Sequence, residues 1–400
     1  MKSNALNRRR WMWLFGAAAL LSSCGGGSDE PGKPPLPVGG NGTAVVQDFA
    51  TGFNAPWGMA FLPDGRLLVT EKGGALRLVS SNGASVSQVS LSLPGGLVTA
   101  GQGGLLDVAI DPDFSNGLPW VYLTYSQPGT GGSGTAVMRG QLDVANPNAL
   151  TNATQIFQQL PKVTGTGHYG SRLVFATDKT LFVTFGERMQ GSPAQDLNSL
   201  LGKVVRINRD GSPAAGNPTF NGAPHAAGIW TYGHRNPQGA ALHPGTGQLW
   251  VSEHGPQGGD EINIALASRN FGWPNVSYGC DYGATYPGND NTSCRIGGTG
   301  GVHTPNYVEP LTFWVPISIA PSDMMFYNGS LFPEWQGNLF MGSLAGTALW
   351  RMTVTNTAVT AREEVLPSAI NVRIRDVAQG PDGAIYFIEE TNGRIVRITR

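Results

Sequence analysis

PDGRLLVTE, at residues 63–71, decides the fold. A Pro-Asp-Gly turn runs into alternating apolar residues that close on a polar one. A period of two after a turn marks a strand entered from a hairpin. The unit returns as DPDFSNGLPWVYLTYS (111–126), ATDKTLFVTFGE (176–187), HPGTGQLWVSEHG (243–255), FPEWQGNLFMGSL (332–344) and GPDGAIYFIEE (380–390). A second strand pattern follows most copies: GALRLV (74–79), GKVVRIN (202–208), TALWRM (347–352) and GRIVRI (393–398). The copies start about 50 to 90 residues apart, and apart from short stretches such as 195–201 no helical period intervenes. Units of this size cannot bury both of their faces alone, so they stack around an axis. Six copies predict an all-β, six-bladed β-propeller. TAVVQDFA (43–50) is expected to join the last blade and close the ring, which removes an exposed strand edge. The longest interval, 256–331, must carry extra loops.

Composition points the same way. With 57 Gly and 28 Pro but no Gly-X-Y period, the chain reads as many short strands rather than as collagen or disorder. Charged residues make up 13% and the net charge is −1, which gives no reason to expect a nucleic acid or an anionic surface as partner.

The N-terminus reads as an address. Arg8, Arg9 and Arg10 precede an apolar run from Trp11 to Leu21, followed by Ser22, Ser23 and Cys24. A basic start, a short apolar centre and small residues describe a secretory signal over 1–23, and the run is too short to span a bilayer. Cys24 after Leu-Ser-Ser resembles a bacterial lipobox, which implies lipid on its sulfur; an ordinary signal peptide with an incidental cysteine is the alternative. Arg8-Arg9 also loosely resembles a twin-arginine signal. Residues 24–42 read as a Gly/Pro-rich tether and 43–400 as the propeller, so the expected location is periplasmic, with membrane contact only through the lipid. Cys280 and Cys294 then remain, and an exported chain predicts one loop-stapling disulfide. Metal binding there is the weaker reading, because no histidine or third cysteine lies at ligand spacing.

In a propeller, turns far apart in sequence meet at one end of the axis, so their polar residues are weighed together. His168, in GTGHYGSRL, sits in a turn of small residues and suits a general base near neutral pH; the alternative is a turn histidine bonding a backbone carbonyl. The G-x-G-x-x-G matches here and at 129–134 open no helix, so a dinucleotide site is excluded. Arg235 and Asn236, in GHRNPQG, offer donors for an anionic or carbonyl-rich ligand, or else bond strand ends between blades. Gln102 is a polar side chain in a glycine turn before a buried run. Arg373 and Arg375 alternate on one strand and face one way, toward solvent or toward an anion on the axis. Gly255-Pro256 can present consecutive carbonyls to calcium, with acids at 260 and 261 close behind. Zinc lacks a thiolate or histidine cluster, and no G-x-S-x-G elbow supports a serine hydrolase.

PWGMAFLPDGRLLVTE, GQGGLLDVAIDPDF, HYGSRLVF, GHRNPQG, SEHGPQGGDEIN, NFGWP and RIRDVAQGPDG together resemble the soluble aldose sugar dehydrogenases dependent on pyrroloquinoline quinone (PQQ), in the glucose/sorbosone dehydrogenase family. The resemblance runs from about Phe53 to Ile398 and implies oxidation of aldoses at C1 to lactones, with hydride passing to the quinone. It implies that His168 takes the proton of the anomeric hydroxyl and that Arg235, with Asn236 alongside, meets the quinone oxygens. Gln102, Arg373 and Arg375 would hold the cofactor's carboxylates. The carbonyls of Gly255 and Pro256 would bind an activating Ca2+, and a second calcium is implied near Glu261 and the carbonyl of Phe271. The chain departs from the glucose-enzyme branch at Ala345, where that branch has a cofactor-binding lysine, and at Gly167, where it has an acid. Both departures imply broad sugar specificity. The electron acceptor stays open. Two readings compete: a calcium-dependent propeller lactonase, and a non-catalytic binding propeller.

Overall fold

The computed structural model describes residues 44–288, 290–366 and 371–400. The signal segment, Cys24 and the tether lie outside the described residues.

Six four-stranded antiparallel sheets follow one another around a ring. Blade 1 holds Pro56–Phe61, Leu67–Glu71, Leu76–Val79 and Val86–Val89; blade 2 holds Leu105–Ile110, Trp120–Gly129, Gly132–Leu142 and Leu150–Gln158. Blade 3 holds Leu173–Phe175, Leu181–Phe185, Lys203–Ile207 and Ile229–Tyr232; blade 4 holds Pro237–Leu242, Leu249–Glu253, Asp260–Ile264 and Thr312–Trp314. Blade 5 holds Pro321–Phe326, Leu339–Ser343, Leu349–Val354 and Val359–Glu364. Blade 6 holds Ile374–Gln379, Ile385–Glu389 and Arg394–Thr399, completed by Val45–Thr51, which pairs Val45 with Thr399 and Thr51 with Arg394. The expected ring closure is therefore present. The repeat that announces each blade is its second strand; the first strands, which touch one another around the axis, carry a weaker pattern. Helix among the described residues is confined to short 3-10 turns, one of them at Ser192–Gln195.

The core lies between blades, as two-faced sheets require. One apolar cluster fills each junction. Leu68, Leu78, Leu105 and Leu123 join blades 1 and 2, and Tyr122, Val137, Val183 and Phe185 join blades 2 and 3. Trp250, Ile262, Met324 and Met341 join blades 4 and 5. The last and first blades are packed by Ile388, Ile395, Leu67 and Val69.

Polar residues inside the repeat tie each blade to the next. Thr70, Thr124, Thr184 and Ser252 occupy the second strands and are buried. Thr124 Oγ1 donates to the Ser171 carbonyl at 2.8 Å, Thr184 Oγ1 to that of Pro237 at 2.9 Å, and Ser252 Oγ to that of Ser322 at 2.9 Å. The Thr70 hydroxyl reaches Leu106 likewise. A hydroxyl that meets a carbonyl across the junction satisfies two groups that burial would otherwise penalise.

On the axis one arginine touches every blade. The Arg172 guanidinium meets Asp107 of blade 2 at 2.9 Å, Asp323 of blade 5 at 3.1 Å and Asp376 of blade 6 at 3.2 Å. It also donates to the Gln238 carbonyl of blade 4 at 3.0 Å and lies 4.5 Å over the Trp57 ring of blade 1. β-Bulges at the axial end of the first strands, in every blade except the third, re-aim these side chains inward.

Between the blade 4 strands Asp260–Ile264 and Thr312–Trp314, the interval 256–331 carries the expected added loops, including a short pair of strands, Ser277–Cys280 and Arg295–Ile296. Cys280 and Cys294 are joined as a disulfide, with Cα atoms 5.2 Å apart.

Candidate active site

His168 lies at the entry to blade 3, with a left-handed φ of 53°, and is 5% exposed. Its Nδ1 donates to Glu187 Oε1 at 2.5 Å, so its partner is a buried carboxylate rather than a turn carbonyl. Glu187 closes the blade 3 repeat, nineteen residues on; its second oxygen accepts the Gly191 amide at 2.6 Å. With Nδ1–H committed to the carboxylate, Nε2 carries the lone pair. Burial holds the His168 pKa below its usual value, the hydrogen bond to Glu187 opposes that, and the charges of Arg235 and Arg188 add to the lowering. His168 is thus neutral, and basic at Nε2, around pH 7. Its loop is fixed from several sides: Gln102 Oε1 accepts the His168 amide at 2.7 Å, and buried Arg188 donates to the carbonyls of Gly165 (2.7 Å) and Gly167. A Cβ at Gly186 would lie 2.2 Å from the His168 carbonyl, so the dyad needs glycine there.

Arg235 and Asn236 enter from the next loop. The Arg235 amide donates to Glu253 Oε2 at 2.7 Å, while His234 Nδ1 donates to Glu253 Oε1 at 2.8 Å. Glu253 ends the blade 4 repeat as Glu187 ends that of blade 3. The Arg235 guanidinium bonds the carbonyls of His254 (3.2 Å) and Gly255 (2.5 Å) and the Tyr282 hydroxyl (3.0 Å), and lies 5.1 Å from the Trp273 ring. The strand-end reading of Arg235 therefore describes part of its contacts. Asn236 is fully buried; its Oδ1 accepts the Gly170 amide at 3.1 Å. The Arg235 Nε and Asn236 Nδ2 atoms are buried without a partner among the described residues.

Arg373 and Arg375 face the axis together, as an anion would require. Arg373 Nε meets Glu390 Oε2 at 3.0 Å and Arg375 Nη2 meets Glu390 Oε1 at 2.8 Å. Arg375 also donates to Gln238 Oε1 at 2.8 Å, and its Nε is buried without a partner among the described residues. Both line a cavity of about 320 Å³ with Trp57, Lys72, Gln102, His254 and Glu390. Burial pushes the His254 imidazole down to about 3, so it adds no charge; its Nε2 donates to the Pro321 carbonyl at 2.7 Å.

Three of the expected calcium ligands, Gly255, Glu261 and Phe271, line one small space. Gly255 sits where a Cβ would lie 2.3 Å from the Gly258 carbonyl. Its own carbonyl already accepts Arg235 Nη1, which leaves one lone pair for a cation. That space, of about 10 Å³, is the size of one water or ion and is also lined by Arg235, Glu253 and His303. Burial, then the charge of Glu253, pushes the Glu261 carboxyl well up, and His303 Nδ1 is buried without a partner among the described residues. No three His, Cys, Asp or Glu side chains converge for a metal among the described residues, so an ion there would rest on carboxylates and main-chain oxygen.

Sequence reasoning did not single out Glu187, Glu390, Arg172 or Lys72. Glu187 had a signal, as the polar residue that ends its repeat. The others stand out only once the blades are assembled. Glu187→Gln is expected to lower kcat roughly 10- to 100-fold, part of what a general base contributes. Because Glu187 raises the His168 pKa, the acid limb of the kcat/KM profile should move to lower pH. A pH–rate profile checks this, and an unmoved limb would separate the two residues.

A histidine oriented by a buried carboxylate, beside a cation-lined cavity on a propeller axis, is the architecture of an enzyme rather than of a scaffold. Residues 53–397 match the family model for Glucose / Sorbosone dehydrogenase, and the chain belongs to that family. It is 38% identical to the aldose sugar dehydrogenase YliI of Escherichia coli K12 over 360 residues, 89% of this chain and 93% of that protein. The crystal structure of the soluble aldose sugar dehydrogenase from Escherichia coli in the apo-form superposes with a TM-score of 0.81 at 37% identity, covering 89% of this chain and 99% of that one. The PQQ-bound aldose sugar dehydrogenase from Streptomyces coelicolor superposes at 0.70 with 28% identity, covering 89% and 98%. The family read from the motifs is thereby borne out.

Proposed function

We propose that the chain is a PQQ- and calcium-dependent aldose dehydrogenase that oxidises C1 of the sugar to a lactone. One observation carries the reading. Among the residues expected to hold the cofactor, Arg235 Nε, Asn236 Nδ2 and Arg375 Nε are buried polar atoms without a partner among the described residues. Buried donors of this kind are costly unless a ligand satisfies them. The donor set also fits the ligand's charge: Lys72, Arg373 and Arg375 face a cavity whose only acid among the described residues is Glu390. When bound, the quinone supplies a hydride acceptor and calcium a Lewis acid.

The chain's own residues do the rest. His168 Nε2 takes the proton of the anomeric hydroxyl, while Glu187 holds Nδ1–H and stabilises the imidazolium that forms. Arg235 places a fixed positive charge beside that base, where negative charge develops. Arg373 and Arg375 bind carboxylates, and the Gln102 side chain keeps its amide donors, its oxygen being committed to the His168 amide. The Gly255 and Pro256 carbonyls would hold one calcium, and Glu261 with the Phe271 carbonyl a second. Exposed Tyr282 and Met189 form apolar surface near the base, suited to the CH faces of a sugar ring. A Cβ at Gly167 would lie 2.7 Å from Met189 Sδ, so apolar bulk stands where an acid could grip one sugar. That supports broad specificity.

Apoprotein supplied with Ca2+ and PQQ should reduce an artificial dye when aldoses are added, and the activity should sediment with membranes unless Cys24→Ser releases it. Absence of PQQ binding in a titration of folded protein would overturn the assignment.

A further inference from the structure

We infer that Lys72 is a further ligand for a carboxylate of the cofactor, an assignment that rests on the quinone reading above. Lys72 follows the second strand of blade 1 and lines the same cavity as Arg373 and Arg375, which enter from blade 6. The two guanidinium groups share one carboxylate, Glu390. Lys72 has no acid of its own among the described residues: its Nζ donates to the Gly101 carbonyl at 2.8 Å, which uses one of three N–H donors. Three cations against one carboxylate leave the cavity two positive charges in surplus. Half-burial, then the charges of Arg375 and Arg373, lowers the Lys72 pKa, so an arriving anion relieves the site.

The backbone of Lys72 is held in place, so its charge is delivered to one position. Its amide donates to Ala55 at 3.0 Å and its carbonyl accepts the Leu105 amide at 3.2 Å. Gly104, at φ 149°, packs so closely that a Cβ would lie 2.5 Å from the Lys72 carbonyl and 2.9 Å from its Cα. The turn that holds Lys72 also carries Gln102, whose Oε1 accepts the His168 amide. From blade 5, Leu344 lines the cavity and Ala345 follows it without charge. Lys72 thus brings a cation from blade 1 to a cavity whose blade 5 wall has none.

The test is an equilibrium titration of PQQ, in Ca2+, into wild type, Lys72→Met, Lys72→Gln, Lys72→Arg and the double variant Lys72→Met/Ala345→Lys, each checked for fold by circular dichroism. Loss of one charged hydrogen bond should weaken binding about 10- to 100-fold in the Met and Gln variants. Lys72→Arg should retain most of the affinity, and Ala345→Lys should recover part of the loss. The trimethyl ester of PQQ should bind wild type and Lys72→Met alike. If wild type binds PQQ and folded Lys72→Met and Lys72→Gln bind within twofold of it, the assignment to Lys72 is wrong and the quinone reading stands. If folded wild type does not bind PQQ, both fall together.

Discussion

Replacing His168 by Gln is expected to lower turnover by about 10²- to 10⁴-fold, the range general-base catalysis contributes, while PQQ affinity stays within about threefold. The separation follows from where the ring is committed. Nδ1 is committed to Glu187, so what the substitution removes is the base at Nε2. The cavity contacts of Arg373 and Arg375 are made by other blades and are untouched. The Gln102 contact to residue 168 uses the backbone amide, which glutamine keeps. Single-turnover dye reduction and a PQQ titration on the same preparation check both halves. A parallel loss of binding would make His168 a cofactor ligand.

Arg172→Met should destabilise the fold by about 3–5 kcal/mol, the usual consequence of removing one partner from a buried ion cluster. Asp107, Asp323 and Asp376 would then remain on the axis without their counter-charge. The loss should depend on pH. Burial already pushes the Asp107 carboxyl up to about 6 and Asp323 well above its usual range, against the pull of Arg172. A carboxyl whose folded pKa is raised favours the native state at low pH, and that contribution is lost as pH rises from about 4 through 6. Arg172→Met should therefore lose more at pH 8 than at pH 5. Asp323→Asn, which removes surplus negative charge, should melt no lower than wild type at pH 8 and show a flatter pH dependence. Thermal melts of the three proteins at both pH values decide it; a melt of Arg172→Met that ignores pH would rule out the charge argument.

The blades were legible because each repeats a local pattern: a turn, then alternation, closed by a polar residue. That pattern also carried Thr70, Thr124, Thr184 and Ser252, whose hydroxyls bond the next blade, and Glu187 and Glu253, which orient the residues before their strands. His168, Arg235 and the Arg373/Arg375 pair stood out as polar groups in turns, and the ring assembles them at one end. Less was legible in the first strands. Their bulges break the period of two, so Asp107, Asp323 and Asp376 look like isolated acids in apolar runs.

By itself, then, the sequence determined the number of blades, the strand that closes the ring and the family, because these are written in local periodicity or in motif order, and the disulfide, because only two cysteines follow Cys24. Only the tertiary structure decided which charges meet. Arg172 finds two of its three carboxylates 65 and 204 residues away, and Lys72 joins Arg373 and Arg375 across the seam between the first and last blades. Those pairings depend on ring closure. Coulomb energy depends on distance through space, which no spacing along the chain records.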